Sequence, residues 1–155
     1  MKRKYGLLGL LLVSGADVAA RNKVRPKNVL FIAVDDMKPA LGCYGDRVAR
    51  TPHIDALAAD GAVFRRAYCQ QAVSGPTRAS LLTGLRPEEV GVTELNTWMR
   101  AKVPDVVTLP QAFREAGYET RGVGKIFHGT KNSLDERSWS ERPSLYEYSR
   151  NEEYQ

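Results

Sequence analysis

The stretch "NVLFIAVDD", residues 28–36, is a largely apolar, partly β-branched run that ends on two adjacent carboxylates. It lacks the alternation of a half-exposed strand and has the pattern of a strand covered on both faces, as in a parallel sheet. In an open α/β sheet, ligands gather beyond the carboxyl ends of the strands. The same nine residues therefore predict a fold class and an edge at which chemistry collects, with Asp35 and Asp36 already on it.

The chain that follows alternates as this reading requires. "TPHIDALAADG" (51–61) has proline near its start and glycine at its end, the punctuation of a short helix. "AVFRRAYC" (62–69) reads as a second strand, "PTRASLLT" (76–83) as a helix stopped by Gly84, and residues 85–107 as loop. In "TLPQAFREAGY" (108–118), Thr108 and Gln111 have capping-box spacing and Gly117 is the terminator. "YETRGVG" (118–124) is a third strand that runs into Lys125, and residues 129–155 are polar with no periodic element. The order strand, helix, strand, helix, helix, strand predicts an α/β fold with a mostly parallel sheet flanked by helices.

Three segments then deliver reactive side chains to one rim: Asp35 and Asp36 after the first strand, Ser74 after the second, Lys125 and His128 after the third. Paired carboxylates suit a hard divalent cation that wants oxygen ligands, although an isolated Asp-Asp is more often a solvated turn. Ser74, in "AVSGPTRASLLTG" (72–84), stands at the start of a helix, where serine commonly caps free N–H groups. A nucleophile is the other reading. Arg78, one turn later, can present a charged fork to Ser74 or to an anion. Lys125 supplies a point charge and His128 a titratable donor or base, whereas His53 reads as a surface or capping residue.

Composition narrows the class. The 155 residues suffice for one domain, and residues 1–20 are set aside as a leader: a basic start, an apolar run from Leu7 to Val13, and small residues at Val18 and Ala20. Cleavage after Ala20 by a signal peptidase and export to the periplasm or beyond are expected. That apolar run is too short to span a bilayer and has no neighbouring cysteine to carry a lipid, so no stable membrane anchor is expected. The leader holds three bases, Lys2, Arg3 and Lys4, and one acid, Asp17, so its loss takes the formal charge from +5 to +3. That mild excess suits an anionic substrate or an ordinary solvated surface, and no segment resembles a nucleic-acid arm. Cys43 and Cys69 can pair or stay separate as far as spacing tells, and no Cys/His cluster has zinc spacing.

Four blocks in order, "NVLFIAVDDMKPALGCYGD" (28–46), "TPHIDALAADG", "SGPTRASLLTG" (74–84) and "GYETRGVGKIFHG" (117–129), resemble the N-terminal blocks of the sulfatase family, in the alkaline-phosphatase-like superfamily. "SWSERP" (138–143) adds a fainter match. "SGPTR" fits the sulfatase signature, cysteine or serine followed by x-P-x-R, in its serine form. "GCYGD", "LPQAF" and "GKIFH" are most similar to the iduronate-2-sulfatase branch, which removes 2-O-sulfate from uronic acids of glycosaminoglycans.

The resemblance implies that Ser74 is the precursor of formylglycine, installed by a radical-type maturase. It further implies that Asp35, Asp36 and the modified Ser74 ligate a divalent metal, calcium or alternatively magnesium. Arg78 would hold the formylglycine, Lys125 would contact the sulfate and His128 would serve catalysis. It makes residues 28–155 the N-terminal portion of a sulfatase catalytic domain, after the leader at 1–20 and a linker at 21–27. On that reading later ligands and strands are missing, and the chain alone is expected to be inactive and to fold poorly. Two other classes stay open: a Ser-dependent phosphomonoesterase or phosphonate hydrolase of the same superfamily, and a non-catalytic fragment that binds sulfated glycans.

Overall fold

The structure, a computed structural model, describes residues 27–144. The leader at 1–20 and most of the linker lie outside the described residues, as does the chain after Ser144. Two compact units divide after Ile32. In the first, residues 27–32 have no regular secondary structure and are exposed, with Leu30 84% accessible.

Among the described residues of the second unit, a 3-10 turn at Gly42–Tyr44 precedes six helices: α1 (Pro52–Asp60), α2 (Ser74–Thr83), α3 (Pro87–Val90), α4 (Met99–Lys102), α5 (Leu109–Glu115) and α6 (Thr130–Ser133). Helices α1, α2 and α5 fall where the punctuation places them. Pro52 opens α1, while Thr51 Oγ1 and Asp55 Oδ1 accept from the main-chain N–H groups of Gly42 and Cys43, which pins the 3-10 turn to the start of the helix. Thr108 caps α5 by accepting from Gln111 N at 3.2 Å. The short helices α3, α4 and α6 lie in stretches that read as loop or as aperiodic, because four residues are too few to display a 3.6-residue period.

The expected parallel sheet is not formed among the described residues. The stretches 28–34, 62–69 and 118–122 are irregular, and β pairing is confined to an isolated parallel bridge between Val123 and Ser144. Gly124 N donates to Ser144 O at 2.9 Å and Ser144 N to Gly122 O at 3.0 Å. The physical reason lies in the pattern that predicted the strands. A doubly covered strand needs neighbours on both edges and helices on both faces, and here Phe64, Tyr68 and Val123 are mostly exposed.

The core forms on α2 instead. Ala79 and Leu82 from α2 pack with Val90, Val92, Met99, Val106, Phe127 and Trp139, all buried. Phe127 and Trp139 meet edge to face, with centroids 6.0 Å apart. Gly84 ends α2 at φ 72°, a left-handed turn that glycine enters without the Cβ penalty.

A polar knot closes one side of this core. Arg100, from α4, pairs bidentately with Asp135 and also donates to Val106 O and Gln111 Oε1. Ser138 Oγ donates to Asp135 and lies 2.6 Å from Thr108 Oγ1. Burial pushes the Asp135 carboxyl upward, but the hydrogen bonds from Arg100 and Ser138 outweigh it and hold the group below its ordinary 3.8. A folded-state pKa below the unfolded one makes this stabilisation fully present above pH 3.8 and lost as pH falls through the folded value. Replacing Asp135 with Ala should strand a buried guanidinium at a cost of about 3–5 kcal/mol. Urea melts at neutral pH should show that loss, and the wild-type and variant curves should converge in acid. A cost below about 1 kcal/mol would remove the knot from the account of stability.

Candidate active site

The sequence places Ser74 and Arg78 four residues apart on one helix, so they share a face. Ser74 is the first residue of α2, and its position as a cap is taken by Val73, which makes no side-chain bond. The serine hydroxyl is engaged elsewhere: Arg78 Nε donates to Ser74 Oγ at 3.3 Å. The capping reading of Ser74 therefore gives way to a side chain held by its own arginine.

Arg78 is buried, its side chain 8% accessible, and each of its three nitrogens is hydrogen-bonded. One terminal nitrogen donates to Lys125 O at 2.6 Å and Ile126 O at 2.9 Å, and the other to Asp35 Oδ1 at 2.7 Å. The Lys125 ammonium meets the second oxygen of the same carboxylate. Residues 35, 74, 78 and 125, spread over ninety positions of chain, thus converge through one guanidinium. Burial raises the Asp35 pKa, but the hydrogen bonds from Lys125 and Arg78 prevail and keep the carboxyl below its ordinary value.

His128 completes the cluster electrostatically. Burial first, then the cations of Lys125 and Arg78, hold its imidazole below 6.5, against an opposing pull from Asp35. That direction favours the neutral ring, and its Nδ1 is buried with no hydrogen-bond partner. Asp36 is set apart. It is exposed, and its φ of 49° is the one positive value at a described non-glycine residue. The left-handed turn swings the chain away directly after Asp35, so the adjacent carboxylates face different surroundings.

Loop 93–98 walls one side of the site. A Cβ on Gly75 would stand 2.8 Å from the carbonyl oxygens of Glu94 and Leu95, so only glycine lets this loop lie against the start of α2. Gln71 Nε2 donates to Thr93 O at 3.2 Å on the same side.

Asp35 and Asp36 offer hard oxygen donors of the kind calcium and magnesium take. They make up part of a shell only: no group of three or more His, Cys, Asp or Glu side chains suits a metal among the described residues, and both Asp35 oxygens are held by cations. His53 lies exposed on α1, outside the cluster, in agreement with its reading as a surface residue. Cys43 and Cys69 are free thiols. No helix among the described residues is long and apolar enough to cross a membrane.

Sequence reasoning did not single out Asn132, Arg100 or Asp135. Each has at least one partner 33 to 35 residues away, and such long-range polar pairs leave no local periodicity or spacing to read.

Comparison with known proteins gives the family. The family model described as Sulfatase matches residues 27–154. Human iduronate 2-sulfatase is 43% identical over 145 residues, covering 88% of this chain and 26% of that protein. A protein named sulfatase from Formosa agariphila is 34% identical, covering 83% of this chain and 27% of its own length. N-acetylglucosamine-6-O-sulfatase of Bacteroides thetaiotaomicron is 36% identical over 77% of this chain and 21% of its own. The chain spans about a quarter of the length of these relatives. With the signature serine and arginine in contact at the head of a buried helix, and a family match that runs from residue 27 to residue 154, the chain belongs to the sulfatase family.

Proposed function

We propose that this chain is the N-terminal portion, residues 28–155, of the catalytic domain of an exported sulfuric ester hydrolase that removes 2-O-sulfate from uronic acids of glycosaminoglycans. A signal peptide at 1–20 and a linker at 21–27 precede it, and signal peptidase releases the protein to the periplasm or beyond. The observation that carries the reading is the Ser74–Arg78 contact: a serine that opens a helix is bound by an arginine which is itself anchored to Asp35 and to the main chain of Lys125 and Ile126. The 43% identity to human iduronate 2-sulfatase supports the choice of substrate.

Each residue has a task that its surroundings allow. Arg78 fixes the side chain at position 74 and cannot swing away, because every arm of its fork is bonded. Around Asp35, two cations face one carboxylate, and the surplus positive charge matches the single negative charge of a sulfate monoester. Lys125 is the more exposed of the two and is the one to meet the sulfate. His128, whose surroundings favour the uncharged ring, can accept a proton near the reacting group and return it. Formylglycine made from Ser74 by a radical-type maturase supplies a hydrated aldehyde as nucleophile. A calcium ion, for which magnesium is the alternative, would sit at Asp35, Asp36 and position 74 with further oxygen donors from outside the described residues, and would neutralise charge there.

The decisive experiment uses the full-length protein that carries this segment, co-expressed with a radical-type maturase. The tryptic peptide Ala67–Arg78 should be lighter by two hydrogen atoms and should react with a hydrazine probe, while Ser74→Ala shows neither property and releases no sulfate. Full activity with unmodified Ser74 would replace this reading by a Ser-dependent phosphomonoesterase or phosphonate hydrolase. Among substrates, 2-O-sulfated uronic acid disaccharides should be preferred to 6-O-sulfated glucosamine, and the reverse preference would overturn the substrate choice alone.

Asp36 separates stability from function. Glycine enters a left-handed backbone freely, so Asp36→Gly should leave thermal stability unchanged or raise it by up to about 1 kcal/mol, yet abolish sulfate release by removing a metal ligand. Calorimetry and turnover on the same preparation check both halves. An active Asp36→Gly protein would take Asp36 out of the site.

A further inference from the structure

Asn132 touches none of the reacting groups, yet it is buried and its amide is fully used. Its Nδ2 donates to His128 O and to Thr97 O, each at 3.0 Å, and its Oδ1 accepts from Met99 N at 3.1 Å. Two donors and one acceptor thus join the turn that carries His128 to the segment 97–99. That segment is fixed at both ends. Before it, Glu94 and Leu95 lie against Gly75, next to Ser74. After it, Arg100 is clamped by Asp135, three residues beyond Asn132.

The His128 ring has no such support of its own. Its Nδ1 is buried without a partner, so no side-chain hydrogen bond at that atom sets the direction of the ring. Its aim depends on where the main chain holds its Cα, and the brace at the His128 carbonyl is the Asn132 amide. Two glycines, Gly124 at φ 72° and Gly129 at φ 78°, flank the turn and leave it little stiffness of its own.

We propose that Asn132 is a positioning residue for His128, holding the imidazole in register with Ser74 and Arg78 through the segment 97–99. The proposal rests on the reading of His128 as a group of the active site. A displacement of about 1 Å in a reacting group can cost two orders of magnitude in rate, so the brace should be visible in kcat.

The test is a double-mutant cycle in the matured full-length protein, with Asn132→Ala, His128→Ala and the double variant assayed on one sulfate ester. Asn132→Ala should lower kcat about 10- to 100-fold while KM moves less than about threefold. In the His128→Ala background the same change should cost less than about twofold, because the group it positions is gone. A merely structural role predicts that the two losses multiply, and that result overturns the proposal. A kcat within about twofold of wild type for Asn132→Ala overturns it as well. Full activity of His128→Ala would overturn the assignment of His128 itself, whereas a damaged His128→Ala beside an intact Asn132→Ala would defeat the brace alone. Should Asn132→Ala fail to fold, Asn132→Asp keeps the shape and the acceptor for Met99 N while removing both donors, and runs the same cycle. If neither variant folds, Asn132 is structural and the proposal falls.

Discussion

The buried guanidinium of Arg78 is the constraint around which the site is arranged. A charge withdrawn from water must be matched by a counter-charge and by acceptors for its N–H groups, or the fold bears a cost of several kcal/mol. Asp35 supplies the counter-charge, Lys125 and Ile126 supply carbonyls, and Ser74 accepts from Nε. Satisfying one side chain thereby brings three distant stretches of chain together. The geometry that solves a desolvation problem is the geometry a reaction on an anionic ester would use.

A second buried guanidinium, Arg100, repeats the solution without the chemistry. Asp135, Gln111 and two main-chain carbonyls enclose it, and its neighbours in the knot, Ser138 and Thr108, are fully buried. Between the two arginines lies the apolar cluster on α2, with Val106 belonging both to that cluster and, through its carbonyl, to the knot. Cations that are this well coordinated fix direction as well as distance, and apolar packing alone does not supply that.

What the sequence made legible was what local chemistry dictates. Pro52 and Gly84 mark helix boundaries by their backbone preferences and Thr108 by its capping hydroxyl, and the structure follows them. Asp35, Ser74, Arg78, Lys125 and His128 are expected together on the rim of a parallel sheet, whereas the described residues bring Asp35, Ser74 and Lys125 together on the Arg78 guanidinium without a sheet. The strands themselves are the exception, since the continuous apolar pattern of 28–34 states a need for neighbours that the described residues do not meet. Asn132 and the Arg100–Asp135 pair were illegible for the opposite reason. Each depends on a partner far along the chain, and nothing in "TKNSLDERS" distinguishes the buried asparagine and aspartate from their solvated neighbours.

The span between Arg78 and its carbonyl partners also sets a clock. Forty-seven residues separate Arg78 from Lys125. At a synthesis rate of about 5–20 residues per second, the guanidinium emerges roughly 2–9 s before the groups that will enclose it. Through that interval α2 has its serine and arginine but neither the Lys125–Ile126 carbonyls nor the Phe127 and Trp139 side chains that complete its core. Until those residues exist, the segment from Ser74 to Arg78 lacks the bonds that enclose it in the fold.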